Sequence, residues 1–374
     1  MMRRARTTVE VLVALLAAAA AASACGGGSG GGVADALADG EDTAADGLVG
    51  DTGGDDTAAP AAGAYVPPND GAWETIDPAA AGFSASGLEA LRAVVEENHS
   101  SSFMLLMDGR IVAEWYFMGA SEATRTDVAS VQKSITGTLV GLARDRGLLD
   151  LDDAVSDYLP EGWSNAAPAD EAKITLRHLM THSSGLSPQT LAKVAEPGAV
   201  FDYNTNAYQK LRLVLEAASG LDINALSRAW LFDAIGVGGS WVVRDGTLDP
   251  TGATIWGLQL SARDMARFGL FAQRRGAWGD AQITAAGWFD EAWTPSAAKG
   301  DYGLLWWLQG RGTLRGKAPL DLVSALGSRD QKIYVSPSLK AVVTRQGLAA
   351  GTESEAESNF DIVLLGAVAA AFAN

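Results

Sequence analysis

The sequence predicts an α+β fold: one antiparallel sheet flanked by terminal helices, with a mostly helical subdomain inserted. Three observations lead there. Two β-rich runs, SFMLLM and RIVAEWYF, bracket Asp108-Gly109, a dipeptide suited to the positive φ angles of a tight hairpin. The middle of the chain is dominated by helical periodicity, and β-rich runs return only late, in DLVSALGS, KIYVSP and KAVVTRQG. Helical patterns open and close the folded part.

The opening helix is read over Ser84 to Glu97, with Ser84 as its cap and Leu88, Leu91, Val94 and Val95 at helical spacing. Further helices are expected over 130–146, 174–182, 206–219, 222–233, 261–275 and 283–293. YGLLWWLQG reads as another β segment, and a last helix should run from about Phe360 to Phe372. No internal repeat with a period of 20 to 50 residues is present.

The N-terminus is of a different kind. Residues 1–25 carry Arg3, Arg4 and Arg6, an uncharged run from Val11 to Ala22 and then small residues, which is the pattern of an export signal. Ala22-Ser23-Ala24-Cys25 resembles the bacterial lipobox, so Cys25 is expected to carry lipid, with the chain exported and lipid-anchored in the bacterial cell envelope. Cys25 is the sole cysteine, which excludes an internal disulfide, a cysteine nucleophile and a thiolate metal site.

Residues 26–72 should be a disordered acidic tether, because Gly, Ala, Asp and Thr offer too little apolar surface to offset chain entropy. The folded domain is then 73–374. Formal net charge is −17, and about half of it belongs to the tether. The acidic balance argues against nucleic acid, since phosphate binding needs clustered Lys and Arg. The expected partners are therefore a small-molecule ester, amide or lactam substrate, and a membrane reached through the lipid.

Two S-x-x-K motifs compete for catalysis, Ser130–Lys133 in ASVQKSITG and Ser296–Lys299 in TPSAAKG. Spacing alone does not separate them. After Ser130, apolar residues fall at Val131, Ile135, Leu139 and Leu142, so this pair rides on the first turn of an amphipathic helix, with Lys133 on the face of the hydroxyl. A helix start also aims a backbone N–H at an oxyanion, and a lysine kept neutral can take the serine proton. Ser296 follows a proline in a glycine-flanked loop with nothing to fix a pair, and its plain reading is solvated surface.

ASVQKSITG, LLDLDDAVSDYLPEGW, ITLRHLMTHSSGL, FDYNTNAY, GLQLSARDMARFG, YGLLWWL and DLVSALGSRDQKIYVSP follow one another as in the serine hydrolases related to class C β-lactamases. That family includes D-alanyl-D-alanine peptidases, esterases and aminohexanoate-oligomer amidases. The resemblance spans roughly residues 75 to 370 and implies the β-lactamase/penicillin-binding-protein fold. It maps the nucleophile onto Ser130, the lysine onto Lys133 and the tyrosine of a Y-x-N motif onto Tyr203. A phenol near Lys133 could relay protons to the leaving group if the cation lowered its pKa.

Two departures bear on substrate. The asparagine of Y-x-N is replaced by Thr205, for which Asn204 or Asn206 could substitute, and the K-T-G or H-x-G motif is Ala325-Leu326-Gly327. Gly327 permits close substrate approach, and the N–H groups of Ser130 and Ser328 would form the oxyanion hole. Alanine cannot hold a substrate carboxylate as the motif's cation does, although Arg329 or Lys332 could compensate. An esterase or amidase acting on a small or uncharged acyl compound is favoured, with Trp306 and Trp307 as an apolar wall. A cell-wall D,D-peptidase or penicillin-binding protein, and a tethered sensor without catalysis, are the rivals.

Other signals carry less. Gly27-Gly28-Ser29-Gly30-Gly31 matches G-x-S-x-G but lacks the strand and helix of a nucleophile elbow. His178 and His182 stand four apart without the glutamate or third ligand of a zinc site, and no cofactor fingerprint is present, so neither metal nor cofactor is expected.

Overall fold

A computed structural model describes residues 64–69, 72–351 and 357–372. The signal, Cys25 and most of the expected tether lie outside these residues.

The central sheet is antiparallel, in the order β2-β1-β10-β9-β8. β1 (Ser100–Met107) and β2 (Arg110–Tyr116) form the hairpin, and β8 (Val323–Gly327), β9 (Gln331–Ser336) and β10 (Ala341–Gly347) supply the late strands. Asp108 and Gly109 have φ of 48° and 84°, the two positive values that a type I′ turn needs.

Successive side chains on β1 serve opposite faces. Phe103 and Leu105 pack with Tyr334 and Val343 against the terminal helices α1 (Ala85–Glu97) and α7 (Asn359–Ala370), whose Leu91, Val95, Leu364 and Val368 close that layer. Met104 and Leu106 face the larger core of the helical subdomain. That subdomain holds α2 (Gln132–Asp145), α3 (Leu176–Met180), α4 (Thr205–Ser219) and α5 (Ile223–Ser227), while α6 (Ala262–Gln273) packs on β1, β9 and β10 of the central sheet.

A second sheet, β3-β5-β4, joins Thr126–Asp127 (β3) to the hairpin of β4 (Ser240–Leu248) and β5 (Thr254–Leu260), which the sequence reading missed. A short hairpin pairs β6 (Ala277–Trp278) with β7 (Ala281–Gln282).

Two further expectations need correction. YGLLWWLQG is not a strand: Leu305 has φ of 60°, and only single bridges tie Trp307 to Tyr302 and Ser324. The folded part also begins before residue 73. The Arg267 guanidinium donates to the carbonyls of Pro67 and Pro68, at 3.3 and 2.6 Å, while Tyr65 and Val66 pack on the core. Two prolines and two large apolar side chains give this stretch the stiffness and buried surface that the Gly/Ala/Asp composition before it lacks.

Candidate active site

The site is built from the loop that leaves β3. Asp127 Oδ1 accepts the Ala129 N–H at 2.8 Å, and Arg244 from β4 grips the same carboxylate at both oxygens, each at 2.8 Å. Ala129 is thereby held left-handed, with φ of 50°, a conformation that costs an L-residue roughly 1–2 kcal/mol. The chain then enters a 3₁₀ turn, Ala129–Val131, that runs into α2.

Ser130 lies on this turn and Lys133 in the first turn of α2. Lys133 Nζ is 2.9 Å from Ser130 Oγ and 3.2 Å from Thr205 Oγ1. It sits over the rings of Tyr203 and Tyr208, at 4.9 and 4.6 Å from their centroids. The side chain is 2% exposed, and no carboxylate pairs with it among the described residues. Burial, helped by the positive charge of Arg244, lowers its pKa to about 7. A lysine in this state is an available base near neutrality.

Tyr203 lies beside Lys133 and close enough to Ser130 to feel its hydroxyl, and its ring lies 4.3 Å from that of His182. The expectation that a neighbouring cation would lower its pKa fails. Burial dominates and pushes the phenol up to about 12, against the smaller opposing effect of the Ser130 hydroxyl. Lys133 stands over the ring face. Tyr203 is therefore a proton donor held in its neutral form. His182 is also neutral, its pKa held well below the ordinary value first by burial and then by the Lys133 charge, and its Nδ1 accepts the Asn204 N–H at 3.2 Å.

The end of β8 closes the site. A Cβ on Gly327 would lie 2.5 Å from the Val128 carbonyl and 3.1 Å from the Ser130 nitrogen, so the strand passes where only glycine fits. That contact brings the Gly327-Ser328 backbone beside the turn that carries Ser130.

Several sequence-predicted roles change. Thr205 accepts a hydrogen bond from Lys133 at 3.2 Å. Asn204 caps α4 and donates to the Leu186 carbonyl at 2.8 Å, and Asn206 donates to that of Pro188 at 2.7 Å. Both amides fasten the 186–188 loop, which accounts for their presence without substrate. Trp306 is fully buried, stacked with Phe268 and edge-on to Trp293, so it is core. Its neighbour Trp307 is partly exposed and stacks 6.0 Å from Tyr203, which makes it the tryptophan beside the site.

Neither proposed substitute for the missing cation stands at Ala325. Lys332 is fully buried, 3.2 Å from Asp330 and 2.9 Å from Asp361, and Arg329 is exposed beyond the strand end. The cation that does act on the site is Arg244, which no motif marked. Ser296 and Lys299 do not pair: the hydroxyl bonds the Lys299 carbonyl at 3.2 Å, while the amine takes Asp301 at 2.7 Å. His178 accepts the Thr175 N–H at 3.1 Å and completes a helix cap.

The family described as Beta-lactamase matches residues 89–345. A 6-aminohexanoate-dimer hydrolase of Paenarthrobacter ureafaciens is 24% identical over 308 residues, covering 70% of this chain and 76% of that protein. Among solved structures, a penicillin-binding protein homologue from Caulobacter crescentus has a TM-score of 0.61 at 14% identity, covering 77% of this chain and 99% of its own. The octameric penicillin-binding protein homologue from Pyrococcus abyssi has a TM-score of 0.55 at 18% identity, with coverage of 71% and 74%. These structural likenesses speak for the fold.

Proposed function

The chain belongs to the beta-lactamase family of serine hydrolases, and from that membership we propose that it cleaves an ester or amide of a small or uncharged acyl compound through an acyl-enzyme. The observation that carries the reading is the buried Lys133 amine 2.9 Å from Ser130 Oγ, with the Tyr203 ring 4.9 Å from the same amine.

Neutral Lys133 takes the Ser130 proton as Oγ forms a bond to the carbonyl carbon. The carbonyl π electrons move to its oxygen, which the N–H groups of Ser130 and Ser328 receive. As the tetrahedral adduct collapses, Tyr203 protonates the departing oxygen or nitrogen, and the Lys133 proton restores the phenol. Water, deprotonated by Lys133, then hydrolyses the ester on Ser130. Ala325 is 1% exposed and brings no charge to the site, which supports a substrate without a carboxylate at that position. The named activity of the Paenarthrobacter relative is compatible with amide cleavage.

The test is mass spectrometry after a fluorophosphonate, together with p-nitrophenyl esters of graded chain length, nitrocefin and a D-Ala-D-Ala peptide. One covalent adduct on Ser130, lost in Ser130→Ala, with ester turnover is expected. Labelling that persists in the variant overturns the assignment. Turnover confined to the peptide or nitrocefin would move the function to the D,D-peptidase or β-lactamase side, and a protein inert to all would be a sensor. Export and lipid anchoring through Cys25 belong to the same proposal, and Cys25→Ala should move the protein from the membrane fraction to the soluble one.

A further inference from the structure

Lys133 has a second aromatic neighbour, Tyr208, that handles no proton. The amine lies 4.6 Å from the centroid of the Tyr208 ring and 4.9 Å from that of Tyr203. Helical spacing puts Tyr208 there. Lys133 and Thr136 share one face of α2, and Thr205 and Tyr208 share one face of α4, the members of each pair being three positions apart. The two faces meet: Thr205 Oγ1 is 3.2 Å from Lys133 Nζ, and the Tyr208 hydroxyl is 2.7 Å from Thr136 Oγ1.

The Tyr208 hydroxyl is occupied in fixing its own ring. Thr136 Oγ1 donates to the Gln132 carbonyl at 3.1 Å, so it accepts from the phenol, and the buried Tyr208 is left without a proton for a relay. What Tyr208 presents to Lys133 is its ring face, the negative side of the aromatic quadrupole.

That face matters once the base is loaded. The Ser130 proton passes to the Lys133 lone pair and leaves an ammonium in a buried site that no carboxylate of the described residues reaches. A buried charge without a partner is costly. An ammonium carries three N–H groups, and Ser130 Oγ and Thr205 Oγ1 lie within reach of two. The third is left to the rings. The other groups nearby give no relief. Arg244 on β4 is itself positive and holds Asp127, and His182, set between Tyr203 and Tyr302, is neutral. Arg212, which acts on Tyr208 from α4, pairs with Glu216. β8 brings no ionisable side chain from Val323 to Gly327, and the turn Arg228–Phe232 meets α2 at its other end, where Arg146 lies over Trp230.

We infer that the ring face of Tyr208 stands in for a carboxylate, stabilising the charge on Lys133 while it carries the Ser130 proton. Tyr208 is thus a positioning residue, acting through the base and not on the substrate. The inference rests on the reading of Lys133 as the general base. A desolvated cation on a ring face is stabilised enough to move a pKa by about one unit. Tyr208 therefore works against burial and Arg244, and weakening its face should lower the pKa of Lys133 further.

The test is Tyr208→Phe in the whole protein, followed by 4-fluoro-, 3,5-difluoro- and 3,4,5-trifluorophenylalanine at the same position, which drain the ring face at nearly constant shape. The rate of fluorophosphonate labelling at Ser130 is followed against pH. Its acid limb should move down stepwise along the series, by about one unit in all, and its plateau should fall as the base weakens. The titration of Lys133 is read separately by NMR with lysine carbon-13-labelled at Cε, the signal being assigned from Lys133→Met. A limb and an NMR titration that stay in place overturn the inference and leave the hydrolase reading standing, since a ring that only fills space would move neither. A protein that takes no label, but whose Lys133 titration still moves, keeps the hold of the ring on the amine and removes the hydrolase reading. Neither label nor movement removes both.

Discussion

Activity should climb on an acid limb centred near pH 7, set by Lys133, and loss of Arg244 should move that limb to higher pH. An ordinary lysine, with a pKa near 10.5, would be neutral in about one molecule in a thousand at pH 7.5, whereas one at about 7 is neutral in about three quarters. The environment thus favours the neutral amine by roughly 5 kcal/mol. Its sources are visible: almost complete burial, two hydroxyl partners in place of carboxylates, and the charge of Arg244.

Because Lys133 must be neutral to take the Ser130 proton, kcat/KM should fall about tenfold per pH unit below the limb, reaching about a tenth of its plateau at pH 6. Tyr203, pushed up to about 12, should add no alkaline limb below about pH 11. Arg244→Gln removes a positive charge and leaves Asp127 without its bidentate partner. Both changes favour protonated Lys133, so activity at pH 7 should drop and recover on going to more alkaline buffer. The assay is a full pH profile of kcat/KM on a p-nitrophenyl ester. A wild-type limb at pH 4 to 5, or one that stays put or moves down in the variant, would refute the reasoning.

Gly327→Ala should cut kcat at least a hundredfold and cost about 1–3 kcal/mol of stability, because its Cβ, 2.5 Å from the Val128 carbonyl, pushes β8 off the Ser130 turn; pre-steady-state burst kinetics and a thermal melt check both halves. Lys332→Met should cost about 3–5 kcal/mol in urea unfolding, since it strands Asp330 and Asp361 in the core. Lys133→Met should be inactive yet more stable at pH 6.5, on the order of a few kcal/mol. The folded-state pKa of about 7 lies below the unfolded one, so wild-type stability rises with pH from about 7 toward the ordinary lysine range. The variant lacks that slope, and its advantage should shrink by pH 9 in matched melts.

What was legible in the sequence follows the range of the interactions involved. The Asp108-Gly109 hairpin is a local matter of two positive φ angles, and the amphipathic run after Ser130 fixes a helix by itself. The β4–β5 pair left no such trace. β4 is exposed over most of its length and Gly246 and Gly257 interrupt the two runs, so alternation is lost. YGLLWWL misled because apolar aromatic residues favour strands, whereas Gly303 is pressed so close to the Ala292 carbonyl that a Cβ would sit 2.1 Å from it.

In the site, Ser130 and Lys133 are one helical turn apart, so their approach is written in the spacing. Arg244 reaches Asp127 across 117 positions, and no pattern in a single sequence marks such a pair. Trp306 and Trp307 differ for a related reason. Outside a regular strand, neighbouring side chains have no fixed parity, and one is core while the other faces Tyr203.

The Asp127 carboxylate has a consequence for how this enzyme can change. It ties the left-handed Ala129 to Arg244, and Arg244 rides on a strand whose Val243, Asp245 and Leu248 face solvent. Substitutions at those outward positions touch none of Ser130, Lys133 and Tyr203, and they reach the Ser130 turn through the Arg244–Asp127 pair. Neutral drift on the surface therefore has a route to turnover, and a library aimed at β4 samples rate without disturbing Ser130, Lys133 or Tyr203.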